Sequence, residues 1–326
     1  MKKIMMLLSF MACIDFSHAV EMKDSLLVMF WNMENFYDYI DQNTGESDNE
    51  FSSMGARHWT KKRFYRKCDD TAKAIFWIAD KYCRMPDIIG MAEIENRGVL
   101  SRMLAHTLLR KYDYAIIHSD SKDRRGIDVA VLYRKSILSP LSISTHVVVY
   151  EGDTLNTRDI LHVKFGYICS KCEEKSVYDV IVNHHPSKYG GSTLSEGRRT
   201  AAMTTLKNLC DSLMSVSETN VIAMGDFNDT PDADSFEVIS DLLVNKGYGL
   251  HEKGEGTIRY EGKWNMIDMF LVSRNLESYT SMEVCRIPFL MTWENRHPGE
   301  KPLRTYSGPR YLGGVSDHFP VVLIHF

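Results

Sequence analysis

Excess positive charge, long apolar runs, repeats and dense cysteine are all missing from this chain, and each absence excludes a class of protein. Its 326 residues carry 39 Lys and Arg against 43 Asp and Glu, a formal net charge of −4. A protein held on nucleic acid by a broad positive field needs clustered Lys and Arg, so storage on DNA is excluded, while brief, local engagement of a phosphate is not. Seven cysteines are too few for a disulfide framework in a chain of this length. Cys68 and Cys210 fall on apolar helix faces and read as buried thiols. The lone pair Cys169 and Cys172 has no second pair to complete a zinc knuckle, which leaves a local disulfide or idle thiols. No repeat, low-complexity tract or Pro/Ser-rich linker marks a domain boundary.

What is present begins with an export signal. Lys2 and Lys3 precede an apolar stretch, Ile4 to Ile14, that is too short to span a bilayer, and Ser17-His18-Ala19 forms a small-x-small cleavage site. Residues 1–19 therefore read as a signal peptide, and the expected location is periplasmic or extracellular. Attachment of a lipid at Cys13 is the alternative, which Phe10 and Met11 fit poorly. Residues 22–326 read as one catalytic-sized domain, and 44% apolar with 25% charged residues is the balance of a soluble globular protein.

Apolar residues recur at helical spacing at Phe64, Cys68, Ala72, Ile75, Ala79 and Tyr82, with Thr60 placed to cap the start. Asn96 caps a second helix carrying Val99, Leu100, Met103, Leu104 and Leu108; Ala202, Leu206, Leu209 and Leu213 stripe a third. Between them lie short runs such as SLLVMFW, PDIIGMA, GIDVAVLY, YDVIVN, NVIAMG, IDMFLVS and PVVLIHF, apolar without clear alternation, as strands covered on both faces are. Leu141 to Val182 reads as consecutive strands with no helix. The pattern predicts an α/β protein with a mixed sheet or two stacked sheets.

The ends of those strands are where polar residues gather. Asn32 and Glu34 follow the first run and Glu93 the second; Asn183, His184 and His185 follow another; Asp226 and Asn228, then Asp268, then Asp317 and His318 complete the set. Any one of them alone is a turn or cap residue satisfying backbone groups. Together, carboxylates and amides without paired Cys/His ligands suit a hard, oxygen-preferring cation such as Mg²⁺. An adjacent Asp and His let a carboxylate ligand and an imidazole donor share one site. Phosphate-ester hydrolysis needs those parts: positive donors to offset phosphoryl charge and a base to activate water.

The motifs FWNMENFYD, PDIIGMAEIEN, VNHHPSK, MGDFNDTP, NMIDMFLVS and GVSDHFPV, in that order over about residues 26 to 326, closely resemble the endonuclease/exonuclease/phosphatase superfamily. The resemblance implies a four-layer α/β sandwich: two stacked, mainly antiparallel mixed sheets flanked by helices, with the active site at one edge. It implies a Mg²⁺ (or Mn²⁺) cofactor held chiefly by Glu93, with Asn32 beside it, Asp317 as a further carboxylate and Glu34 at a secondary position. It also implies that His318 donates to a phosphate oxygen while Asp268 holds its ring, that Asp226 orients or deprotonates the attacking water, and that Asn228 holds the phosphate. A second catalytic imidazole is expected two residues before Pro186, which selects His184 and leaves His185 as a solvated loop residue. Tyrosine is usual there in apurinic-site enzymes, so histidine points away from that repair branch.

Arg125 in KDRRGIDVAVLYR, Arg198 at the opening of a helix, and Arg304 and Tyr306 in the loop before the Asp317-His318 pair are the expected substrate contacts, each with an ordinary solvated surface residue as its bland counterpart. The expectation is thus an exported, metal-dependent phosphodiesterase, a nuclease acting on DNA or RNA, monomeric and without a stable protein partner. Hydrolysis of inositol phosphates or of a sphingomyelin headgroup is the alternative within the enzyme class. A non-catalytic binding protein of the same fold is the alternative outside it, made improbable by a chemically competent residue at every motif position.

Overall fold

The computed structural model describes residues 26–42, 47–168, 176–188, 192–216 and 219–326, so Cys13, Cys169, Cys172 and the amino-terminal segment lie outside the described residues. Among the described residues, twelve strands build two six-stranded sheets. In chain order they are β1 (Leu27–Phe36), β2 (Ile88–Ile94), β3 (Tyr114–His118), β4 (Asp128–Arg134), β5 (Leu138–His146), β6 (Ile160–Tyr167), β7 (Val177–His184), β8 (Asn220–Asp226), β9 (Leu243–Asn245), β10 (Asp268–Ser273), β11 (Thr280–Val284) and β12 (Val321–His325). The first sheet runs β11-β12-β1-β2-β4-β3 and the second β9-β10-β8-β7-β6-β5. Every neighbouring pair is antiparallel except one at the centre of each sheet, β1 with β2 and β7 with β8.

Three long helices cover the sheets: α1 (Lys61–Lys81), α2 (Arg97–His106) and α3 (Ser192–Met214). Thr60 and Asn96 cap α1 and α2 by accepting from the Arg63 and Val99 amides, as their sequence positions predict. Alternate residues of β1 go to different layers. Leu27, Met29, Trp31 and Met33 pack with Phe64, Cys68 and Ile75 of α1 and Leu100 of α2; Val28 and Phe30 pack toward the second sheet and Val182, Ala223 and Met224. A strand buried on both faces has no polar side to alternate, which is why these strands read as continuous apolar runs. Met203, Leu206 and Cys210 of α3 join the second sheet's core. The result is the expected four-layer sandwich of two mainly antiparallel sheets between helices.

The two central parallel pairs position the site. Parallel partners end at the same edge, and an antiparallel neighbour begins there. In register, Asn32 stands opposite Ala92, and Asp226 stands opposite both His184 and Asp268. Both sheets thus deliver polar strand ends to one rim.

Candidate active site

Two interruptions of pairing aim the first carboxylates. Ladder contacts skip from Asn32 to Phe36 on β1 and from Ala92 to Ile94 on β2. The residues left out of the ladder include Glu34, Asn35 and Glu93, with φ of 46°, 54° and 62°. Left-handed backbone at non-glycine residues costs roughly 1–2 kcal/mol each, and bulges of this kind redirect side chains out of the sheet. Here they turn Glu34 and Glu93 toward the rim, where the Asn35 amide donates to Glu93 Oε2 at 2.7 Å.

The second sheet supplies the other half. Asp226 is buried, accepts from Asn32 Nδ2 at 2.9 Å and lies 3.6 Å from His184 Nε2. That imidazole nitrogen is also 3.8 Å from Glu93 Oε1. Residues from β1, β2, β7 and β8 thereby meet across the sandwich. Asp268, fully buried, holds His318 through a 2.7 Å contact from Oδ2 to Nδ1, which leaves Nε2 turned to the rim, 3.9 Å from Asp317 Oδ1. The loop carrying His318 is tied to β1: Ser316 Oγ donates to the Asn32 carbonyl, and Trp31 Nε1 donates to the His318 carbonyl.

Burial and like charge set the proton affinities. Burial and the neighbouring Asp268 raise the Asp226 carboxyl to about 7, against the pull of His318 and the Asn32 amide. Burial opposes a charge on His318, yet Asp268 first, then Asp226 and Asp317, hold its imidazolium well above the ordinary range. His184 shifts the other way, pushed well down by burial and by Arg158 and Arg125. One ring is held as a cation and the other neutral, on opposite sides of Asp226.

A third group of acids lies beside them. Glu34 Oε1 is 3.0 Å from Arg304 Nε, and Oε2 accepts from the Thr305 amide at 2.7 Å; Arg304 also reaches Asp317 Oδ2 at 3.0 Å. Burial and the charge of Asp317 raise Glu34 to about 7 although Arg304 and Lys67 pull it down. Glu34, Glu93 and Asp317 all act on the charges of Lys67 and Arg304, so three carboxylates share one neighbourhood, and oxygen donors of this kind suit Mg²⁺ or Mn²⁺. Asp226, Asp268 and His318 also lie close enough together to hold an ion. In that trio, however, the Nδ1–Oδ2 contact spends the nearer ring nitrogen on Asp268, which suits a proton donor better than a ligand.

Several residues stand where the sequence did not put them. His185, expected in solvent, is buried, packs edge-on against Phe227 at 5.0 Å and is pushed down to about 3 by burial. Tyr306, expected to touch substrate, is buried in an aromatic group with Phe51, Trp59 and Tyr311, and its hydroxyl donates to the Arg57 carbonyl. Arg198 is exposed on α3 with Tyr150 as its charge neighbour, and no contact joins it to the site residues. Its neighbour Arg199 turns inward, 2.7 Å from Asp229, and braces the loop after β8. Asn228, in left-handed conformation at φ 53°, gives its side-chain N–H to the His185 carbonyl at 3.0 Å, so it fastens the His184–His185 turn to the Asp226 turn. Arg125 does face the site, 3.6 Å from Glu93.

Two buried cations were missed. Arg158 spans Asp123 at 3.0 Å and the His185 carbonyl at 2.8 Å. Lys67 donates to the Glu34 carbonyl at 2.7 Å and to Thr305 Oγ1 at 3.0 Å, with Phe36 and Trp59 beneath its ammonium. Lys67 had one readable signal, a charge set inside the apolar stripe of α1; Arg158 had none.

The sequence profile of the endonuclease/exonuclease/phosphatase family matches residues 27–325, nearly the whole described chain. The chain belongs to that family. Structures of the same fold agree. An endonuclease/exonuclease/phosphatase protein from Bacteroides vulgatus is 16% identical with a TM-score of 0.57, over 93% of this chain and 98% of that one. The catalytic domain of human Nocturnin, with bound sulfate, is 15% identical with a TM-score of 0.53, over 93% and 94%. A mannosyl-6-phosphatase from Bacteroides thetaiotaomicron is 15% identical with a TM-score of 0.55, over 92% and 100%. No curated protein sequence matches the chain. Members of the endonuclease/exonuclease/phosphatase family are phosphoesterase hydrolases, generally dependent on a divalent metal. Among the described residues, no helix is long and apolar enough to cross a membrane.

Proposed function

We propose that this family member is an exported Mg²⁺- or Mn²⁺-dependent phosphodiesterase, a nuclease that hydrolyses DNA or RNA by in-line attack of water. The observation that carries the reading is the meeting of Asp226, His184, Glu93 and Asn32 from four strand ends with the Asp268–His318 pair at one rim. Glu93, Asp317, Asn32 and Glu34 would hold the cation, which when bound offsets charge on the phosphoryl oxygens. Asp226 is placed to accept the proton of the attacking water; its raised proton affinity makes it a better base than an exposed aspartate. His318, kept protonated by Asp268, donates to a non-bridging oxygen. His184, neutral and near Glu93 and Asp226, assists at the leaving oxygen. Arg125 and Arg304 supply positive charge at the edges. Asn228 acts through the turn that holds His184.

Export rests on the amino-terminal signal alone, and lipid attachment at Cys13 is its variant. Nucleic acid is favoured by the histidine at position 184, as in deoxyribonuclease-like members of the family, and the net charge of −4 does not oppose it, because local contact with a phosphate needs no broad positive field. The test is one panel: mature protein with supercoiled plasmid, single-stranded DNA, RNA, sphingomyelin, inositol phosphates and mannose 6-phosphate, each with Mg²⁺, with Mn²⁺ and with EDTA. Nicking of plasmid or cutting of RNA that stops in EDTA is the expected result. Turnover confined to a headgroup or sugar phosphate would replace the nuclease reading with a phosphatase or phospholipase-C-type one.

A further inference from the structure

A second group of metal-ligating side chains stands at the open end of the β3–β4 pair. His118 ends β3 opposite Ala130, and Asp128 begins β4 two residues before, so the two side chains are diagonal neighbours on one face. The imidazole is 3% exposed and its Nε2 has no hydrogen-bond partner. That nitrogen is 3.6 Å from Asp128 Oδ2. A hydrogen bond to the Ile94 backbone engages the ring, leaving Nε2 as the free end. Asp120, from the connecting loop, lies with an oxygen 3.8 Å from Nδ1 and within 4.8 Å of the other ligand atoms.

A buried imidazole nitrogen without a partner is an unmet cost of about 1–3 kcal/mol, and here it is aimed at a carboxylate. We propose that His118, Asp120 and Asp128 form a second metal site, separate from the catalytic cation, that takes a borderline transition-metal dication such as Zn²⁺ or Mn²⁺. One imidazole with two carboxylates suits such ions, whereas Mg²⁺ and Ca²⁺ prefer oxygen throughout. A ligating histidine usually has its other ring nitrogen held by a backbone carbonyl or a carboxylate, and the Ile94 backbone holds the ring of His118 in that way.

The site has a mechanical consequence. Asp128 Oδ1 accepts from the Ser121 amide, Ser121 Oγ from the Asp123 amide, and Asp123 Oδ1 from the Arg125 amide, at 2.9, 3.2 and 2.9 Å. A cation on Asp120 and Asp128 therefore pins both ends of the loop that presents Arg125 to Glu93. Metal binding itself does not depend on the phosphoesterase reading.

The test compares metal uptake by the metal-stripped full chain and by the double variant Asp120→Asn, Asp128→Asn, using Zn²⁺ in equilibrium dialysis and Co²⁺ by visible absorption. The expected result is one more equivalent of metal in the parent, with Co²⁺ ligand-field bands lost in the variant. Equal stoichiometry and equal spectra in the two overturn the site, as does loss of all uptake on Glu93→Gln alone. Asp120→Asn changes an exposed side chain and covers the case in which the double variant misfolds. It should weaken Zn²⁺ binding by at least about tenfold, and unchanged affinity would equally overturn the site.

Discussion

At the residue scale, the proposed chemistry depends on two imidazoles held in opposite protonation states around one aspartate. Asp226 must be ionised to take a proton from water, and burial with Asp268 raises it to about 7. The sign follows directly: below that value the base is protonated and inactive, above it the base is available. With kcat/KM measured from pH 5.5 to 9, activity should rise about tenfold per pH unit below the midpoint and level off above it. His318 is held well above its ordinary value, so the falling limb should appear only on the alkaline side. Asp226→Asn should lower kcat by about 10²- to 10⁴-fold and abolish the acid limb. Asp268→Asn leaves the shape intact but removes the charge that keeps His318 protonated. Its expected signature is a falling limb moved toward lower pH together with a lower kcat, whereas a purely structural role would reduce activity without moving the limb.

At the element scale, the two bulges and the turns after β7 and β8 turn strand ends into a site. Asn228 makes this separable, because its left-handed backbone and its amide do different jobs. Asn228→Gly keeps the conformation and deletes the hydrogen bond to the His185 carbonyl; Asn228→Ala deletes the bond and strains the turn as well. Thermal unfolding should show the alanine variant less stable than the glycine variant by about 1 kcal/mol. Equal stabilities would mean that the left-handed turn carries no strain. Lys67 tests the opposite wall. Replacing it with Met leaves the Glu34 carbonyl and Thr305 hydroxyl without their buried donor and Glu34 with Arg304 as its remaining compensating charge. The expected loss is about 3–5 kcal/mol in denaturant unfolding; a change below about 1 kcal/mol would show that the lysine is not needed to hold Glu34.

The same elements explain what the sequence disclosed. A strand buried on both faces leaves polar residues only at its ends, so Asn32, Glu93, His184, Asp226 and Asp268 stood out as interruptions of apolar runs. Helix caps were legible at Thr60 and Asn96 because capping is local. Tyr306 and His185 were misplaced because their burial comes from partners distant in the chain, the Arg57 carbonyl and Phe227. Arg158 could not be found at all: a lone arginine outside any periodic pattern acquires its meaning only from Asp123 and the His185 carbonyl.

At the scale of the whole molecule, each sheet has its single parallel pair at the centre, and these pairs bring four strand ends to one rim. Pattern alone allowed one mixed sheet or two; the motif order supplied the second sheet. The rim is rich in charge of both signs, and the chain as a whole is net negative at −4. Few cations face outward at the site: Arg125 pairs with Glu93 and Asp123, and Arg304 with Glu34 and Asp317. On the proposed nuclease reading, such a rim would grip the scissile phosphate without tracking the polyanion on either side. Each phosphate contact on duplex DNA contributes about −0.9 to the slope of log affinity against log salt. Plasmid KM measured between 50 and 200 mM KCl at fixed Mg²⁺ should therefore follow a slope of only about one or two in magnitude. A slope of about five or more would require an extended basic track. That outcome would mean that substrate reaches well beyond the rim formed by β1, β2, β7 and β8.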